Sequence, residues 1–364
     1  MLLLHQRRAA TAQWRAHPDG LKASRPTLLS HRRRRLTPPA AADDDDADAL
    51  PPAAASLPPP AAPAALDAAA ALAVDRFVRP GAVVGLGRGE MVQRAVAAIG
   101  ARIKDGRLGN VSVVASAAPA AAAAAFHGVP VSPTTAAASP SPVVFFDEAD
   151  QVDLAANAYL SGSRAGEAAH PDLPTIRTLV ERTLERGGEV VALLPSAAAC
   201  VPRLNAALPI AIAGASSSAA SSDAAANNDQ ADTGGDAAAA SSSSFAAWEE
   251  TAEELDDIFL GDAELWRRPQ DPQESANPRG GRSPLIQPDG TTIVDARFYE
   301  GLTLFGDGEA EYGAILEEVD GVEGVVATGL FVGKATAAVV PPAGEAVAPR
   351  VFLRKGGAGL VADE

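Results

Sequence analysis

Four short apolar runs, with helical patterns between them, set the limits on how this chain can fold. "GAVVGLG" (81–87), "NVSVVAS" (110–116), "VVFF" (143–146) and "EVVALL" (189–194) are rich in valine, leucine and phenylalanine. Apolar runs of this length, without polar alternation, suit strands buried on both faces. Helix-like stretches lie between them: Leu66–Phe77, Val92–Ile103, an alanine-rich run to Phe126, and "TIRTLVERTLERGG" (175–188). Strand and helix in alternation predict a parallel sheet covered by helices on both sides, an α/β architecture.

The pattern breaks at residues 214–247, a serine- and alanine-rich stretch with no apolar period, read as a low-complexity insertion in a surface loop. Order is expected to resume at Phe245 with Trp248 and an acidic helix, "EETAEELDDIFL". A proline- and glycine-rich loop follows from Pro269 to Pro284. "SPLIQPDGTTIVDARF" predicts a hairpin around Asp289-Gly290. A helix over Glu309–Val319 and one strand, "VVATGLFVG", complete a small α+β domain spanning 248–333. "TAAVV" is expected to return to the main sheet as a strand near 334–342, leaving 343–364 as a C-terminal tail. The larger domain is then 64–213.

Residues 1–63 read differently. The run Arg32–Arg35, with Arg7, Arg8, Arg15 and Arg25, accompanies many hydroxyl residues and only one acid, Asp19, before Asp43. That composition matches an organellar transit peptide. The aspartates 43–46 and the Pro/Ala stretch to Pro63 cannot bury enough surface to fold and read as linker.

Composition excludes several classes of function. The formal net charge of −16 disfavours nucleic acid as a partner. No run approaches the roughly 20 apolar residues of a membrane span. A single cysteine, Cys200, rules out an internal disulfide. The histidines, His5, His17, His31, His127 and His170, have no metal-ligand spacing, so no metal is expected. His127, before Gly128, reads as a residue at a helix C-terminus.

Two stretches could carry chemistry. "GLGRGE" (85–90) lies between a strand and a helix, where backbone amides can cradle phosphate. Gly85, Gly87 and Gly89 would permit close approach, and Arg88 would add charge. However, Val92 and Gln93 stand where a dinucleotide fingerprint needs its third glycine, and no Lys-Ser/Thr follows for a P-loop. Glu90 is expected to repel an anion. A tight turn and a phosphate site both remain open readings. In "VVFFDEADQVD" (143–153), Asp147 and Asp150 follow the third strand, where an open α/β sheet points into its ligand crevice. They would act as a base or hold a sugar hydroxyl; the bland alternative is a capping Asp147 and a solvated Asp150.

Taken in order, "GAVVGLGRGE", "VVFFDEADQVD", "PDGTTIVDARF" and "VDGVEGVVATGLFVG" resemble the ribose-5-phosphate isomerase A family over about 64–340. The resemblance implies a Rossmann-like parallel-sheet domain with a smaller ferredoxin-like α+β domain. It also implies interconversion of ribose 5-phosphate and ribulose 5-phosphate through an enediolate, without cofactor. With the transit-like N-terminus, it points to a chloroplast member serving the Calvin cycle and the pentose phosphate pathway.

The family's site residues carry over only in part. Asp147 and Asp150 match the two aspartates of its Asp-Gly-Ala-Asp-Glu motif, but Glu148 replaces the glycine and Gln151 the glutamate. The lysine position is Leu160, in Leu160-Ser161-Gly162-Ser163. The catalytic glutamate falls on Ala169, with Glu167 nearby as a substitute base. Arg88, Glu90 and Met91 occupy the hydroxyl positions of the phosphate loop. Ser116 keeps one hydroxyl of a second Thr-Ser pair, whose other position is Ala117. A later Asp-x-Ser-Lys segment aligns near Leu193–Ala197 and keeps neither acid nor lysine.

The expectation is therefore a family fold with lost or much weakened isomerase chemistry. Such a protein would be a binding or regulatory partner of a sugar phosphate or related small molecule, as a homo-oligomer or paired with an active relative. One alternative is an active isomerase in which Glu167 is the base, Asp147 and Asp150 hold the sugar, and Arg88 or Arg164 supplies positive charge. Another is a different ligand, an unphosphorylated sugar or an acyl-CoA.

Overall fold

The computed structural model describes residues 57–133, 140–164, 170–214, 237–259, 261–271, 274, 280, 283–303, 312–344, 348–357 and 359–363, with side chains excepted over 237–247. The transit-like segment, Glu167 and Ala169 lie outside the described residues.

The first half runs α1 (Pro63–Phe77), β1 (Val83–Leu86), α2 (Glu90–Lys104), β2 (Ser112–Ala115), α3 (Ala118–Phe126), β3 (Val131–Ser132) and β4 (Val144–Glu148). A small hairpin of β5 (Gln151–Asp153) and β6 (Ala158–Leu160) precedes α4 (Leu173–Glu185) and β7 (Glu189–Leu193). The second half is β8 (Leu208–Ala213), α5 (Ala237–Phe259), β9 (Ala263–Arg267), β10 (Thr291–Phe298), α6 (Tyr312–Asp320), β11 (Val325–Thr328) and β12 (Leu330–Val332). The chain then adds β13 (Ala337–Val340), β14 (Arg350–Arg354) and β15 (Leu360–Ala362).

The main sheet has the order β15-β14-β13-β7-β4-β1-β2-β3. Strands β13 through β3 pair in parallel, while β14 and β15 add antiparallel. Alternate side chains feed opposite faces, as the pleat requires. Val144 and Phe146 enter the core shared with α1 and α2, whereas Phe145 packs with Ile176, Leu179 and Val180 of α4. Three small residues of α1, Ala69, Ala70 and Ala73, are buried in the α1–α2 core and allow close approach. The C-terminal segment, read from the sequence as a tail, thus continues the sheet instead. Its short runs, "RVFLR" and "LVA", carry too little pattern to read as strands alone.

The chain builds β1, β2 and β3 outward in one direction, then returns to place β4 on the other side of β1. The order reverses between β1 and β4. Crevices for ligands form at the carboxyl ends of strands at such a reversal.

The smaller sheet has the order β11-β8-β10-β9, all antiparallel, with α5 and α6 in its crossovers. This β-α-β-β-α-β arrangement is ferredoxin-like. Its core joins Leu208, Ile210 and Ile212 of β8 to Trp248, Leu255 and Phe259 of α5 and Ile315 and Val319 of α6. Its first strand therefore precedes the Ser/Ala-rich insertion. The helix after that insertion begins at Ala237, earlier than Phe245, consistent with the helix propensity of alanine.

Two local expectations are corrected. The chain does turn at Asp289-Gly290, where the Gln287 N–H donates to Thr291 O at 2.8 Å, but the two arms of "SPLIQPDGTTIVDARF" form no strand ladder. The Leu285 N–H donates to Arg268 O, and Gly290 N–H closes a turn on Gln287 O, after which β10 pairs with β8 and β9. Pro284 and Pro288 lack the amide donors a regular partner strand needs. "VVATGLFVG" is also two strands, because β11 belongs to the ferredoxin-like sheet and β12 to a third sheet, β12-β6-β5. Gly329 sits at the break, donating to Pro209 O at 2.8 Å and accepting from the Ser161 N–H at 2.9 Å. A Cβ there would lie 2.2 Å from Ser161 O, so only glycine allows this crossing.

Candidate functional site

The reversal between β1 and β4 brings both motif stretches together. Past β1, Gly87 N–H still donates to Phe146 O, and Glu148 N–H to Arg88 O. The Gly87–Arg88–Gly89 loop therefore lies directly beside Asp147 and Glu148. At Gly87 a Cβ would lie 2.2 Å from Asp147 Oδ1, and its absence lets that oxygen accept the Arg88 N–H at 3.0 Å. Gly89 caps α2 at φ 94°, a left-handed conformation that favours glycine.

Each acid at the end of β4 has a different partner. Asp150, fully buried, accepts the Ser163 N–H at 2.7 Å and Arg88 Nη1 at 3.2 Å on Oδ2, and Arg164 Nε at 3.2 Å on Oδ1. Asp150 is thus neither solvated nor available as a bare carboxylate. Glu148 Oε2 accepts the N–H of Met91, the second residue of α2, at 2.7 Å. Its other oxygen lies 3.9 Å from Arg164 Nε. Glu90, expected to repel an anion, instead pairs with Arg94 on the exposed side of α2, so the carboxylate at the helix terminus is Glu148.

Asp147 is the exception. Its Oδ2 is buried and has no hydrogen-bond partner among the described residues. Burial drives its pKa up to about 6, against the lowering effects of the Arg88 N–H and guanidinium. The Ser161 hydroxyl is close enough to favour the charged form, without meeting hydrogen-bond geometry. Burial, and then the Asp147 charge, raise the Tyr159 phenol well above its usual range. The Tyr159 ring stacks on Phe331, with centroids 4.8 Å apart.

Strand β6 explains which of its side chains reach the crevice. Leu160 points into the core of the ferredoxin-like domain, while Tyr159 packs with Phe145 and the α4 face. Tyr159 and Ser161, on either side of Leu160, are the residues coupled to Asp147. These two and the Glu148 contact with α2 were missed at the sequence level. The period-two alternation of "AYLS" carries the signal, once "QVD" and "AYL" are recognised as a hairpin. From the smaller sheet, Arg268 Nη2 donates to Gly162 O at 2.6 Å and binds both oxygens of Asp295. This buried pair fixes the 161–164 loop.

The remaining sequence candidates divide. Arg88, Gly87 and Gly89 line the acid cluster. Gly85 lies within β1, where a Cβ would meet the Phe145 ring at 2.5 Å, a packing role. Ser116 follows β2, donates its N–H to Leu86 O, and keeps a buried hydroxyl with no hydrogen-bond partner among the described residues. Among those residues no group of His, Cys, Asp and Glu is placed to hold a metal ion, and no helix is long and apolar enough to cross a membrane.

No protein-family model matches the chain, and no curated protein matches it significantly. Solved structures do. Ribose 5-phosphate isomerase A from Methanocaldococcus jannaschii aligns with TM-score 0.56 at 18% identity, covering 80% of this chain and 99% of that one. Ribose 5-phosphate isomerase from Plasmodium falciparum aligns with TM-score 0.54 at 18% identity, covering 76% and 93%. A D-ribose-5-phosphate isomerase in complex with phospho-erythronic acid aligns with TM-score 0.56 at 20% identity, covering 79% and 98%. With its parallel sheet, its ferredoxin-like domain and this match over nearly the whole of each neighbour, the chain has the fold of ribose 5-phosphate isomerase A.

Proposed function

We propose that this protein is a ribose-5-phosphate isomerase A-like protein whose isomerase activity is lost or much weakened, and that it acts as a binding or regulatory protein. One observation carries the reading: two of the crevice's three acids, Asp150 and Glu148, are engaged by the protein itself. Asp150 is bound to Arg88, Arg164 and Ser163, and Glu148 to the start of α2. An aldose–ketose isomerisation needs a carboxylate free to move a proton between adjacent carbons, and a donor free to stabilise the oxyanion. Here Arg88 and Arg164 both donate to Asp150, and Arg164 Nη2 keeps no hydrogen-bond partner among the described residues. A structural neighbour binds phospho-erythronic acid, so sugar phosphates are the first ligands to test. Incubated with ribose 5-phosphate, the purified protein is expected to form no ribulose 5-phosphate above a protein-free control; turnover typical of an isomerase would end this reading.

A second reading has one observation in its favour. Asp147 Oδ2 lacks a hydrogen-bond partner among the described residues, and the group titrates at about 6, near the value a general base needs. An active isomerase built on Asp147 predicts turnover that vanishes in Asp147→Asn.

A further inference from the structure

The start of α2 is an anion-binding geometry with an occupant already in place. Its first backbone amides have no intrahelical acceptor, and its dipole favours negative charge there. The Met91 N–H meets Glu148 Oε2 at 2.7 Å, and Glu148 is only 2% exposed. The fit is close: a Cβ on Gly89 would lie 2.5 Å from the Glu148 Cβ, Cδ and Oε2 atoms alike. The loop conformation and the glutamate therefore require each other. A second observation marks the place as built for an anion. Arg164, whose Nε lies 3.9 Å from Glu148 Oε1, has a buried Nη2 with no hydrogen-bond partner among the described residues. The neighbouring Ser163, 7% exposed, has a buried hydroxyl in the same condition.

We propose that Glu148 is a built-in ligand: its carboxylate fills the anion-binding end of α2, and inorganic phosphate or a phosphate ester enters there only when that carboxylate is removed. A tethered carboxylate has a high effective concentration at its own site, so a free anion competes poorly. It would also lose a charge-assisted hydrogen bond already made, and face the charge of Asp150 nearby. This rests on the reading above only for the class of ligand, and it narrows that reading: in the wild type the phosphate of a sugar phosphate does not sit at this end of α2.

The test compares the wild type with Glu148→Ala and Glu148→Gln, using inorganic phosphate as the probe and chloride at equal ionic strength as control. Phosphate is expected to raise the melting temperature of Glu148→Ala and to bind it roughly tenfold or more tightly than the wild type. Glu148→Gln keeps the side chain's shape and an acceptor for Met91, so it should stay closed to phosphate. A folded Glu148→Ala that responds to phosphate no more than to chloride would overturn the proposal, as would a wild type that binds phosphate equally well. If Glu148→Ala folds only in phosphate, the proposal is supported. If it folds in neither salt, Glu148→Gln decides: lower stability than the wild type supports a role for the charge, and equal stability overturns it. None of these outcomes depends on sugar turnover, so this inference and the proposed function fail separately.

Discussion

Asp150→Ala is expected to destabilise the protein by about 3–5 kcal/mol, the usual cost of breaking a buried ion pair from one side. Asp150 is fully buried and is the common acceptor for Arg88 Nη1, Arg164 Nε and the Ser163 N–H. The variant leaves two guanidinium groups at the crevice without their shared carboxylate, and Arg88 is itself only 7% exposed. Asp150→Asn should fall between the variant and the wild type, because an amide oxygen can still accept the Ser163 N–H. Urea denaturation gives the comparison directly. Adding Arg88→Met to Asp150→Ala tests their coupling: the departure from additivity measures the pair. A loss below about 1 kcal/mol, the range of exposed ion pairs, would show that this one is not buried in solution.

Asp147→Asn is expected to act in the opposite direction, and only at higher pH. Burial raises the Asp147 pKa from 3.8 to about 6. Between those values the native state holds the proton more tightly than the unfolded chain, so stability falls as pH rises through the interval. Above pH 6 the charged form costs about 3 kcal/mol, since each tenfold gain in proton affinity on folding is worth about 1.36 kcal/mol. Asparagine carries no charge and can still accept the Arg88 N–H. The variant should therefore be more stable than the wild type at pH 7.5, with the advantage shrinking toward zero near pH 4. Chemical denaturation at several pH values checks the sign. A difference that does not change with pH would mean that Asp147 does not titrate in this window. Stabilisation by removing a charge is the mark of a group kept at a cost, and such groups collect at sites of function, past or present.

Much of the main sheet was readable because its strands are continuous apolar runs that mean the same thing in any context. "VVFF" and "EVVALL" have to be buried, and the helices between them force parallel pairing. What was not readable depends on tertiary contact. Strand β8, "LPIAIA", belongs to a sheet whose other strands lie beyond the insertion, and nothing local links them. The split of "VVATGLFVG" depends on a crossing at Gly329 that only the fold creates. At the site, Asp147 and Asp150 were legible from their position after a strand. The identity of the carboxylate at the start of α2 was not. Glu90 is adjacent to that turn in sequence, but its side chain pairs outward with Arg94, and the acid that arrives comes from β4, across the sheet. The cation missing at Leu160 was legible as a loss. That Arg88 or Arg164 would supply positive charge was legible too; that both donate to one acid, Asp150, was not.

The crevice keeps its fold but binds Asp150 and Glu148 to the protein itself, and that is the feature most in need of a direct test. Incorporation of solvent deuterium at C2 of ribose 5-phosphate, followed by NMR in deuterated buffer, provides it, because it detects proton abstraction even where net isomerisation is too slow to see. No exchange beyond the protein-free rate is expected. Exchange above that rate, abolished by Asp147→Asn, would contradict the proposed loss of chemistry and identify Asp147 as a working base.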